Sequence, residues 1–301
     1  NIVILLQNYK SNLVTQVSTC EKNMNKTYNT IIKLINKALQ EDVKDGDITT
    51  TATISKSKKA IGKFLVKADG IIAGLEIAKA VFKTVDHKIK FEIKIKDGSK
   101  VKFGDVTAIV TGKAQSLLTA ERTALNFLQR MSGIATSANI YAEKIKHTKA
   151  KIIDTRKTVP GLRTLDKQAV KLGRCANHRI GLFDMFLIKD NHIEVAGSIT
   201  KAVEGCVKYN KKHHTKFKIE VETKNLKEVE EALTTKADII MLDNFEIDEM
   251  KKAVKMINGK CKVEASGGVN LDKVKDIAET GVDYISVGAL THSVKALDIS
   301  L

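Results

Sequence analysis

Cysteine, tryptophan and arginine are scarce in this sequence, and long apolar runs are missing. The four cysteines are Cys20, Cys175, Cys206 and Cys261, with no C-x-x-C pair among them. Their wide separation argues against a disulfide framework and against a structural zinc site. No segment approaches the roughly 20 consecutive apolar residues that a membrane-spanning helix needs, and the opening apolar run, residues 2–6, is too short for a signal peptide. The sequence therefore predicts a soluble, cytoplasmic protein with reduced cysteines and no membrane partner.

Arginine is rare although the formal net charge is +16, since only six of the 51 basic residues are arginine. They are Arg122, Arg130, Arg156, Arg163, Arg174 and Arg179. Lysine spread along the whole chain is typical of a solvated surface, whereas arginine confined to one window favours forked recognition of planar anions. The absence of tryptophan also leaves few platforms on which nucleic-acid bases could stack. Small, highly anionic ligands fit better than nucleic acid. A basic nucleic-acid-binding protein stays the alternative from another class, and it would be retained on heparin with a steep salt dependence.

Glycines divide the first part of the chain into short strands. Residues 1–23 lack the helical pattern that begins near Thr30, so we expect them to be an extension without a catalytic role, with Met24 as the start. Short β-rich runs punctuated by glycine between residues 41 and 115 predict a small α/β or mostly β domain. The strands predicted there include Lys63 to Lys67, Phe91 to Ile95 and Thr107 to Val110. A helix from Ala120 to about Met131 is predicted to join this domain to the next.

From about residue 150 to residue 290, short apolar runs alternate with stretches of helical spacing. The predicted strands are Lys151 to Arg156, Met185 to Lys189, Lys218 to Glu222, Asp238 to Asp243, Lys262 to Ser266 and Asp283 to Gly288. Apolar strands joined by helical crossovers indicate a parallel sheet covered by helices, and at this length a barrel is favoured over an open sheet. In such a barrel the carboxyl ends of the strands form the site, and the last two loops usually hold phosphate.

Residues that can bind ligands or take part in catalysis stand at the end of each predicted strand. They are Arg156, Lys189, Glu222, Asp243, Ser266 with Gly267 and Gly268, and Gly288. The glycine turn allows backbone N–H groups to approach a phosphate just before a helix predicted to begin near Asn270. Glu222 and Asp243 supply the oxygen ligands that suit Mg²⁺, and Glu220 is a second candidate because strand alternation gives it the same face as Glu222. A single strand-end acid is more often a solvated charge or a helix cap, but here the acids share a rim with a lysine and a glycine turn.

The segment from Asp154 to Arg163 has the sequence D-T-R-K-T-V-P-G-L-R and contains the only proline. It resembles the signature of the quinolinate phosphoribosyltransferase family. Further segments match that family in order: Glu41-Asp42, residues 46–50, residues 121–126, residues 132–136, Asn177 to Arg179, Lys189 to His192, Glu220 to Glu222, Leu242 to Asn244, Ser266 to Gly268 and Val287 to His292. The resemblance covers about residues 30–301. One departure is Gly173-Arg174-Cys175-Ala176, which stands where the family has a glycine run, so the loop leading to His178 is expected to take a different path.

The resemblance implies an α/β fold with two domains. The first, residues 24–124, would be an N-terminal α/β sandwich domain on which the C-terminal tail, residues 290–301, packs back. The second, residues 125–289, would be a catalytic β/α barrel-like domain with parallel strands. The implied activity is that of a pentosyltransferase: it joins quinolinate to the ribose of phosphoribosyl pyrophosphate with decarboxylation, giving nicotinate mononucleotide, pyrophosphate and CO₂ in NAD biosynthesis. The alternative within this class is a sibling enzyme for nicotinate or a homologue linked to molybdate uptake.

The resemblance also assigns site residues. Quinolinate would be bound by Arg122, Thr155, Arg156, Lys157, His178 and Arg179, and the catalytic residues would be Lys157, Lys189, Glu222 and Asp243. Phosphoribosyl pyrophosphate would be bound by Lys189, Glu222, Asp243, Ser266, Gly267, Gly268 and Gly288. The cofactor would be Mg²⁺, held by Glu222 and Asp243 partly through pyrophosphate and water. Arg122 would reach the site of a neighbouring subunit in a homodimer or higher homo-oligomer, and Arg130, Arg163 and Arg174 are left with supporting roles.

Overall fold

The N-terminal part of the protein is an antiparallel sheet packed against helices. The structure, a computed structural model, describes residues 29–301, so the expected extension and Met24 lie outside the described residues. The elements are α1, described over residues 29–43, α2 (Ile48–Thr53), β1 (Lys59–Val66), β2 (Gly70–Ile71), α3 (Leu75–Val85), β3 (Lys90–Ile93), β4 (Lys100–Val101), β5 (Val106–Lys113) and α4 (Ala114–Ile145). Strand β5 pairs with both β1 and β3, and β2 pairs with β4. Every one of these pairings is antiparallel.

Three phenylalanine rings join this sheet to α3. Phe64 of β1, Phe82 of α3 and Phe91 of β3 have ring centroids 5.5 to 5.9 Å apart. Phe64 and Val66 are buried while Lys63 and Leu65 between and beside them are exposed, which is the alternation expected of a strand with one covered face. Burying each large apolar side chain contributes about 1.5 to 3 kcal/mol. This cluster is the core of the N-terminal domain.

The C-terminal part alternates strands and helices. Its elements are β6 (Lys151–Ile153), α5 (Arg163–Leu172), β7 (Phe186–Ile188), α6 (Asp190–Ala196), α7 (Ile199–Lys212), β8 (Ile219–Thr223), α8 (Leu226–Leu233), β9 (Ile239–Asp243), α9 (Ile247–Ile257), β10 (Lys262–Ser266), α10 (Val274–Glu279), β11 (Tyr284–Ser286), α11 (Ala289–His292) and β12 (Ile299–Ser300). Strands β6 to β11 form one sheet in the order β6-β11-β10-β9-β8-β7, with parallel pairings throughout. An isolated parallel bridge adds Ala176 to the other edge of β6. The predicted barrel-like arrangement of parallel strands is therefore confirmed.

Helix α4 is much longer than predicted. It covers the expected segment Ala120 to Met131 but extends from Ala114 to Ile145 and passes through Gly133 without interruption. A Cβ atom at Gly133 would lie 2.2 Å from the carbonyl oxygen of Lys295. This glycine therefore serves a close approach of the C-terminal tail and does not end the helix.

The last residues of the chain return to the first sheet. Strand β12 pairs antiparallel with β1, with Ser300 opposite Leu65, and the Gln129 side chain donates a 2.6 Å hydrogen bond to the carbonyl of Ile299. The domain limits at 124/125 and 289/290 stay a prediction, and α4 runs across the first of them. Among residues 29–301, no helix is both long enough and apolar enough to cross a membrane.

Candidate active site

The sheet register brings the predicted site residues at the strand ends to one rim. Ser266 at the end of β10 lies opposite Asp243 at the end of β9, and Glu222 on β8 lies opposite Met241 of β9. Since all these strands run parallel, their carboxyl ends meet at the same edge of the sheet. Lys189, which follows β7, donates from Nζ to Oε2 of Glu222 over 2.6 Å. A lysine, two carboxylates and a serine thus share one rim.

The glycine turn after β10 is packed against the residue that follows Asp243. Asn244 has a left-handed backbone (φ 57°) and donates from its side-chain amide to Oδ2 of Asp243 over 2.9 Å. Gly267 also has a left-handed backbone (φ +95°), and a Cβ atom there would lie 2.1 Å from Oδ1 of Asn244. Only glycine fits this approach. Asn244, to which the sequence assigned no role, therefore joins the glycine turn to the acid at the end of β9.

The helix that follows the glycine turn begins later than the predicted start near Asn270. Gly288, the second predicted phosphate-binding glycine, lies beside the cationic side of the rim. Asn270 accepts hydrogen bonds from the N–H groups of Asp272 and Lys273, each 3.0 Å long, but the regular helix α10 begins only at Val274. A Cβ atom at Gly288 would meet the His292 ring at 3.1 Å and Cδ of Lys157 at 3.2 Å. The second glycine predicted to hold phosphate is thus adjacent to Lys157.

The segment after β6 forms the cationic side. The Thr155 hydroxyl accepts a 3.0 Å hydrogen bond from the N–H of Lys157. Arg156 and Lys157 are both exposed. Arg179 is more enclosed and donates to the carbonyl of Met185 over 3.2 Å. Burial, followed by the nearby charge of Arg156, lowers the pKa of Arg179 below its ordinary value. Two guanidinium groups held this close favour an anion with more than one negative charge between them.

His178 points into the barrel toward two buried glutamates. Its Nε2 lies 2.9 Å from Oε2 of Glu220 and 3.5 Å from Oε2 of Glu264. Its Nδ1 accepts the backbone N–H of Arg179 over 2.7 Å, so Nε2 carries the ring proton. Burial lowers the pKa of His178, and burial raises the pKa of Glu220 to about 7. Complete burial, and then the charge of Glu220, raise the pKa of Glu264 well above its ordinary value.

The contact between His178 and Glu220 is short but poorly aligned. Both Glu220 oxygens and Oε1 of Glu264 have no hydrogen-bond partner among residues 29–301. Burial and the charge of Glu220 thus favour the protonated form of Glu264, and burial favours the neutral form of His178. Sequence reasoning missed Glu264. Its position two residues before Ser266, like that of Glu220 before Glu222, was the available signal, because alternate strand residues share a face.

Five other charged side chains, namely Arg130, Asp166, Arg163, Asp154 and Lys167, bond to the segments that form the rim or support them. Arg130 forms a forked pair with the buried Asp166, with bonds of 2.9 and 2.8 Å, and also donates to the carbonyl of Thr291 over 3.2 Å. The Thr291 hydroxyl in turn donates to the carbonyl of Lys157 over 2.8 Å. Arg163 donates to the Thr158 hydroxyl over 3.0 Å and to the carbonyl groups of Ile180 and Arg156 over 3.0 and 3.3 Å. Asp154 and Lys167 form a buried ion pair beneath His178. No pattern in the sequence marked Asp166 or Lys167 as part of the site.

Matches to known proteins agree with this geometry. Residues 47–132 match the description "Quinolinate phosphoribosyl transferase, N-terminal domain", and residues 134–301 match "Quinolinate phosphoribosyl transferase, C-terminal domain". The chain belongs to the quinolinate phosphoribosyltransferase family.

Relatives from plants and bacteria in this family resemble most of the chain. It is 48% identical over 284 residues to "Quinolinate phosphoribosyltransferase [decarboxylating] 1b" of Nicotiana tabacum, covering 89% of this chain and 81% of the relative. It is 43% identical over 266 residues to "Probable nicotinate-nucleotide pyrophosphorylase [carboxylating]" of Synechocystis, covering 87% of this chain and 89% of the relative. The solved structure of the nicotinate-nucleotide pyrophosphorylase from Francisella tularensis superposes with a TM-score of 0.86 at 40% identity, covering 90% of this chain and 95% of that one.

The loop that departs from the quinolinate phosphoribosyltransferase pattern still leads to His178. Arg174 takes a left-handed backbone (φ 68°), a conformation that favours glycine, and its exposed side chain donates to Glu143 over 3.3 Å. Cys175 is buried and donates from Sγ to the carbonyl of Ala138 over 3.2 Å. Gly173 is retained where a Cβ atom would lie 2.4 Å from the carbonyl oxygen of Ala135. The two replacements are therefore accommodated on the outside and in the core of the loop.

Arg122 is the one predicted quinolinate ligand that this chain does not bring into contact with the others. It is exposed on α4, eight residues before Arg130, which is about 12 Å along a helix axis. Within the described part of the chain, no hydrogen bond or ion pair involves its side chain.

Proposed function

We propose that this chain transfers the phosphoribosyl group of phosphoribosyl pyrophosphate to quinolinate, with decarboxylation, to give nicotinate mononucleotide, pyrophosphate and CO₂. The observation that carries the proposal is the division of one barrel rim into a cationic side and an acidic side. Arg156, Lys157 and Arg179 lie on the first, and Glu222 and Asp243 lie on the second. Relatives named for this reaction resemble the chain at 43 to 48% identity. The reaction belongs to NAD biosynthesis.

The cationic side suits the two adjacent carboxylates of quinolinate. Forked guanidinium groups bind carboxylates with paired hydrogen bonds, and a dianion relieves the repulsion between Arg156 and Arg179 that contributes to the lowered pKa of Arg179. Lys157 adds a third positive charge. The hydroxyl groups of Thr155 and Thr291 hold its backbone N–H and carbonyl, respectively. His178 directly precedes Arg179, and its ring faces Glu220 and Glu264 beneath the cationic side; we assign it to quinolinate binding.

The acidic side suits the ribose. When the pyridine nitrogen attacks ribose C1, the bond from C1 to pyrophosphate breaks and its electron pair leaves with pyrophosphate. Positive charge develops on the ribose, and Glu222 and Asp243 would stabilise it and bind its hydroxyl groups. Lys189, exposed at the rim and bonded to Glu222, would meet the departing phosphates, with Ser266, Gly267, Gly268 and Gly288 around the 5-phosphate.

Decarboxylation then completes the reaction. The bond between C2 of the pyridine ring and its carboxylate breaks, CO₂ leaves, and the electron pair stays on C2 beside the positively charged ring nitrogen until C2 takes up a proton. The role of the protein in both steps is positioning and electrostatic stabilisation, and no covalent nucleophile is required.

We propose Mg²⁺ as the cofactor. Two carboxylates at neighbouring strand ends form the oxygen-rich donor set that this ion prefers, with the remaining ligands supplied by phosphates and water. Glu222 and Asp243 fit, although one oxygen of Glu222 is also bonded to Lys189 at 2.6 Å. When bound, the ion would neutralise the leaving pyrophosphate.

We also propose a homodimer or higher oligomer in which Arg122 of the partner subunit completes the quinolinate pocket. Arg122 is exposed and unpaired in the described chain, and a second carboxylate needs a further forked donor.

The cytoplasm stays the predicted compartment. Plant relatives carry the words chloroplastic or mitochondrial in their names, so fractionation of source cells is the test.

Mass spectrometry of the products tests the proposed function. Purified protein is incubated with Mg²⁺, phosphoribosyl pyrophosphate and quinolinate that carries ¹³C in the carboxyl group on C2. We expect unlabelled nicotinate mononucleotide and labelled CO₂, because that carboxyl group is the one lost. A reaction without phosphoribosyl pyrophosphate is the control. Folded protein that yields no nucleotide, or a nucleotide that keeps the label, contradicts the proposal.

A further inference from the structure

The side of the barrel between β6 and β7 is poorly closed by sheet hydrogen bonds. The sheet ends at β6 and β7, and the segment that fills the space joins β6 by the single bridge between Ile153 and Ala176. Asn177, His178 and Arg179 follow directly. Strand pairing therefore does not fix the position of these three residues, two of which are assigned to quinolinate.

A buried ion pair takes the place of the missing sheet bonds. Asp154 directly follows β6 and Lys167 lies on α5, and their side chains are 0% and 4% exposed. The Oδ1 atom of Asp154 pairs with Nζ of Lys167 and also accepts the backbone N–H of His178 over 2.9 Å. Lys167 Nζ in turn donates to the carbonyl of His178 over 3.1 Å. Both backbone hydrogen-bonding groups of His178 are thus held by one pair of charges.

Stability alone does not account for this pair. Burial raises the pKa of Asp154 and lowers the pKa of Lys167, so the surroundings oppose both charges. Oδ2 of Asp154 has no hydrogen-bond partner among residues 29–301. Apolar residues of similar volume often stabilise a fold as well as a buried ion pair does. They could not, however, bind the N–H and the carbonyl of the same residue.

The pair connects the two segments that supply the cationic side. Asp154 precedes Thr155, Arg156 and Lys157, and His178 precedes Arg179. Because Asp154 and His178 are joined through one carboxylate oxygen, the pair contributes to the spacing between the two segments, beside Arg163, which bonds to the carbonyl groups of Arg156 and Ile180. A displacement of about 1 Å in such a constellation can lower a rate by about 10².

We propose that Asp154 and Lys167 are positioning residues for quinolinate: by holding the backbone of His178 against the end of β6, they set the distance between the Arg156 and Arg179 guanidinium groups. The inference rests on the proposed function. Phosphoribosyl pyrophosphate, assigned to the ends of β7 to β11, does not depend on this spacing.

The first test is the double variant Asp154→Asn with Lys167→Met, which removes both charges at nearly constant volume. The expected KM for quinolinate rises about tenfold while the KM for phosphoribosyl pyrophosphate changes less than about twofold. The matched control is Asp283→Asn with Lys262→Met, the same substitutions in an ion pair of 2.8 Å at the opposite end of the barrel; neither KM should change. A folded Asp154/Lys167 variant with both KM values unchanged, or both raised equally, overturns the proposal.

Amide hydrogen exchange of the unmodified protein is the second test, and it needs no variant to fold. The proposal expects the His178 amide, although outside the sheet, to exchange as slowly as that of Ile240 in the central strand β9. Exchange as fast as that of the exposed Gly268 overturns it. If the unmodified protein does not convert quinolinate, the proposed function fails, and the exchange measurement still decides whether the ion pair holds His178.

Discussion

Arg156 is the residue whose geometry matters most on the cationic side. It is exposed at the rim, and its charge contributes to the lowered pKa of the more enclosed Arg179. An ammonium group at this position would keep the charge but not the fork of two parallel donors. Substitution of Arg156 by lysine therefore separates the effect of the positive charge from the effect of the paired hydrogen bonds.

We predict that Arg156→Lys lowers kcat/KM for quinolinate by roughly tenfold to a hundredfold, since a hydrogen bond to a charged group contributes about 1.5 to 3 kcal/mol. Steady-state kinetics with quinolinate varied is the measurement. Arg174→Lys, at an exposed ion pair with Glu143, is the matched control and should leave kcat/KM unchanged. Near-normal efficiency of Arg156→Lys would show that Arg156 supplies only charge.

Glu264 should behave as a neutral acid in the folded protein. Its pKa is raised well above the ordinary value by complete burial and by the charge of Glu220. A carboxyl group whose pKa is raised on folding contributes stability that is fully present below its unfolded pKa and is lost as pH rises through the folded pKa. Gln resembles the protonated form and does not titrate.

We predict that Glu264→Gln folds with nearly unchanged thermal stability at mildly acidic pH. As pH rises above about 5, the unmodified protein should lose stability more steeply than the variant. Melting temperatures at stepped pH values are the measurement, and Glu230→Gln, at an exposed acid on α8, is the control. Parallel curves for Glu264→Gln and the unmodified protein would mean that Glu264 is already ionised in the fold.

The ends of β8 and β9 carry the two carboxylates of the acidic side, Glu222 and Asp243. We predict that Glu222→Ala and Asp243→Ala each weaken phosphoribosyl pyrophosphate binding in the presence of Mg²⁺, because both remove an oxygen ligand from the acidic side. Quinolinate binding without Mg²⁺ should change little. Calorimetry measures both affinities, and Asp248→Ala, at an exposed acid on α9, is the control. Unchanged phosphoribosyl pyrophosphate affinity in both variants would refute the metal-side assignment.

The parallel strands could be predicted because their signal is local. Runs such as residues 239–242 are apolar throughout, and the polar residue that follows such a run identifies the rim once a parallel sheet is assumed. All six predicted strands of this part are present: four are shorter at one or both ends, β8 is shifted by one residue, and β10 has the predicted bounds. The start of α8 was also predictable, because Asn225 followed three residues later by Glu228 is the pattern of a capping box. The Asn225 side chain accepts the N–H of Glu228 over 3.0 Å as expected. The Glu228 carboxylate, however, accepts the N–H of Lys224 and not that of Asn225.

The remaining features depend on residues that are distant in sequence. Gly133 resembles a helix end until the tail residue Lys295 is known to lie against it. Lys167 has the appearance of an ordinary charge on an amphipathic helix, and only the packing of α5 under β6 buries it beside Asp154. Glu264 looks like one polar interruption in an apolar strand. None of these contacts has a periodicity that a single sequence displays.

At the scale of the whole molecule, the proposed exchange of Arg122 between subunits can be tested by mixing two inactive variants. A two-fold dimer exchanges identical surfaces, so each site would combine Lys189 of one chain with Arg122 of the partner subunit. When Arg122→Ala and Lys189→Ala are mixed under conditions that exchange subunits, random pairing makes about half the dimers mixed. One site in each mixed dimer then carries no defect, and roughly a quarter of the activity should return.

The control for this experiment is a mixture of Lys189→Ala with Asp243→Ala. Both of those residues belong to the rim of one chain, so every site in a mixed dimer keeps one defect and no activity should return. Absence of recovery in the Arg122 mixture, with subunit exchange confirmed, would mean that Arg122 serves its own chain or no site.

Pyrophosphate release with quinolinate, compared with release with nicotinate, tests whether the cationic side is built to bind two adjacent carboxylates. Nicotinate lacks the carboxylate on C2, so the guanidinium groups of the cationic side would remain partly unpaired, and sites built to bind a polar group reject analogues without it by about 10⁴ or more. With equal concentrations of phosphoribosyl pyrophosphate and Mg²⁺, the account predicts rapid release with quinolinate, one CO₂ for each pyrophosphate, and only traces with nicotinate. Release that is as fast with nicotinate as with quinolinate, or absent with both, would contradict it.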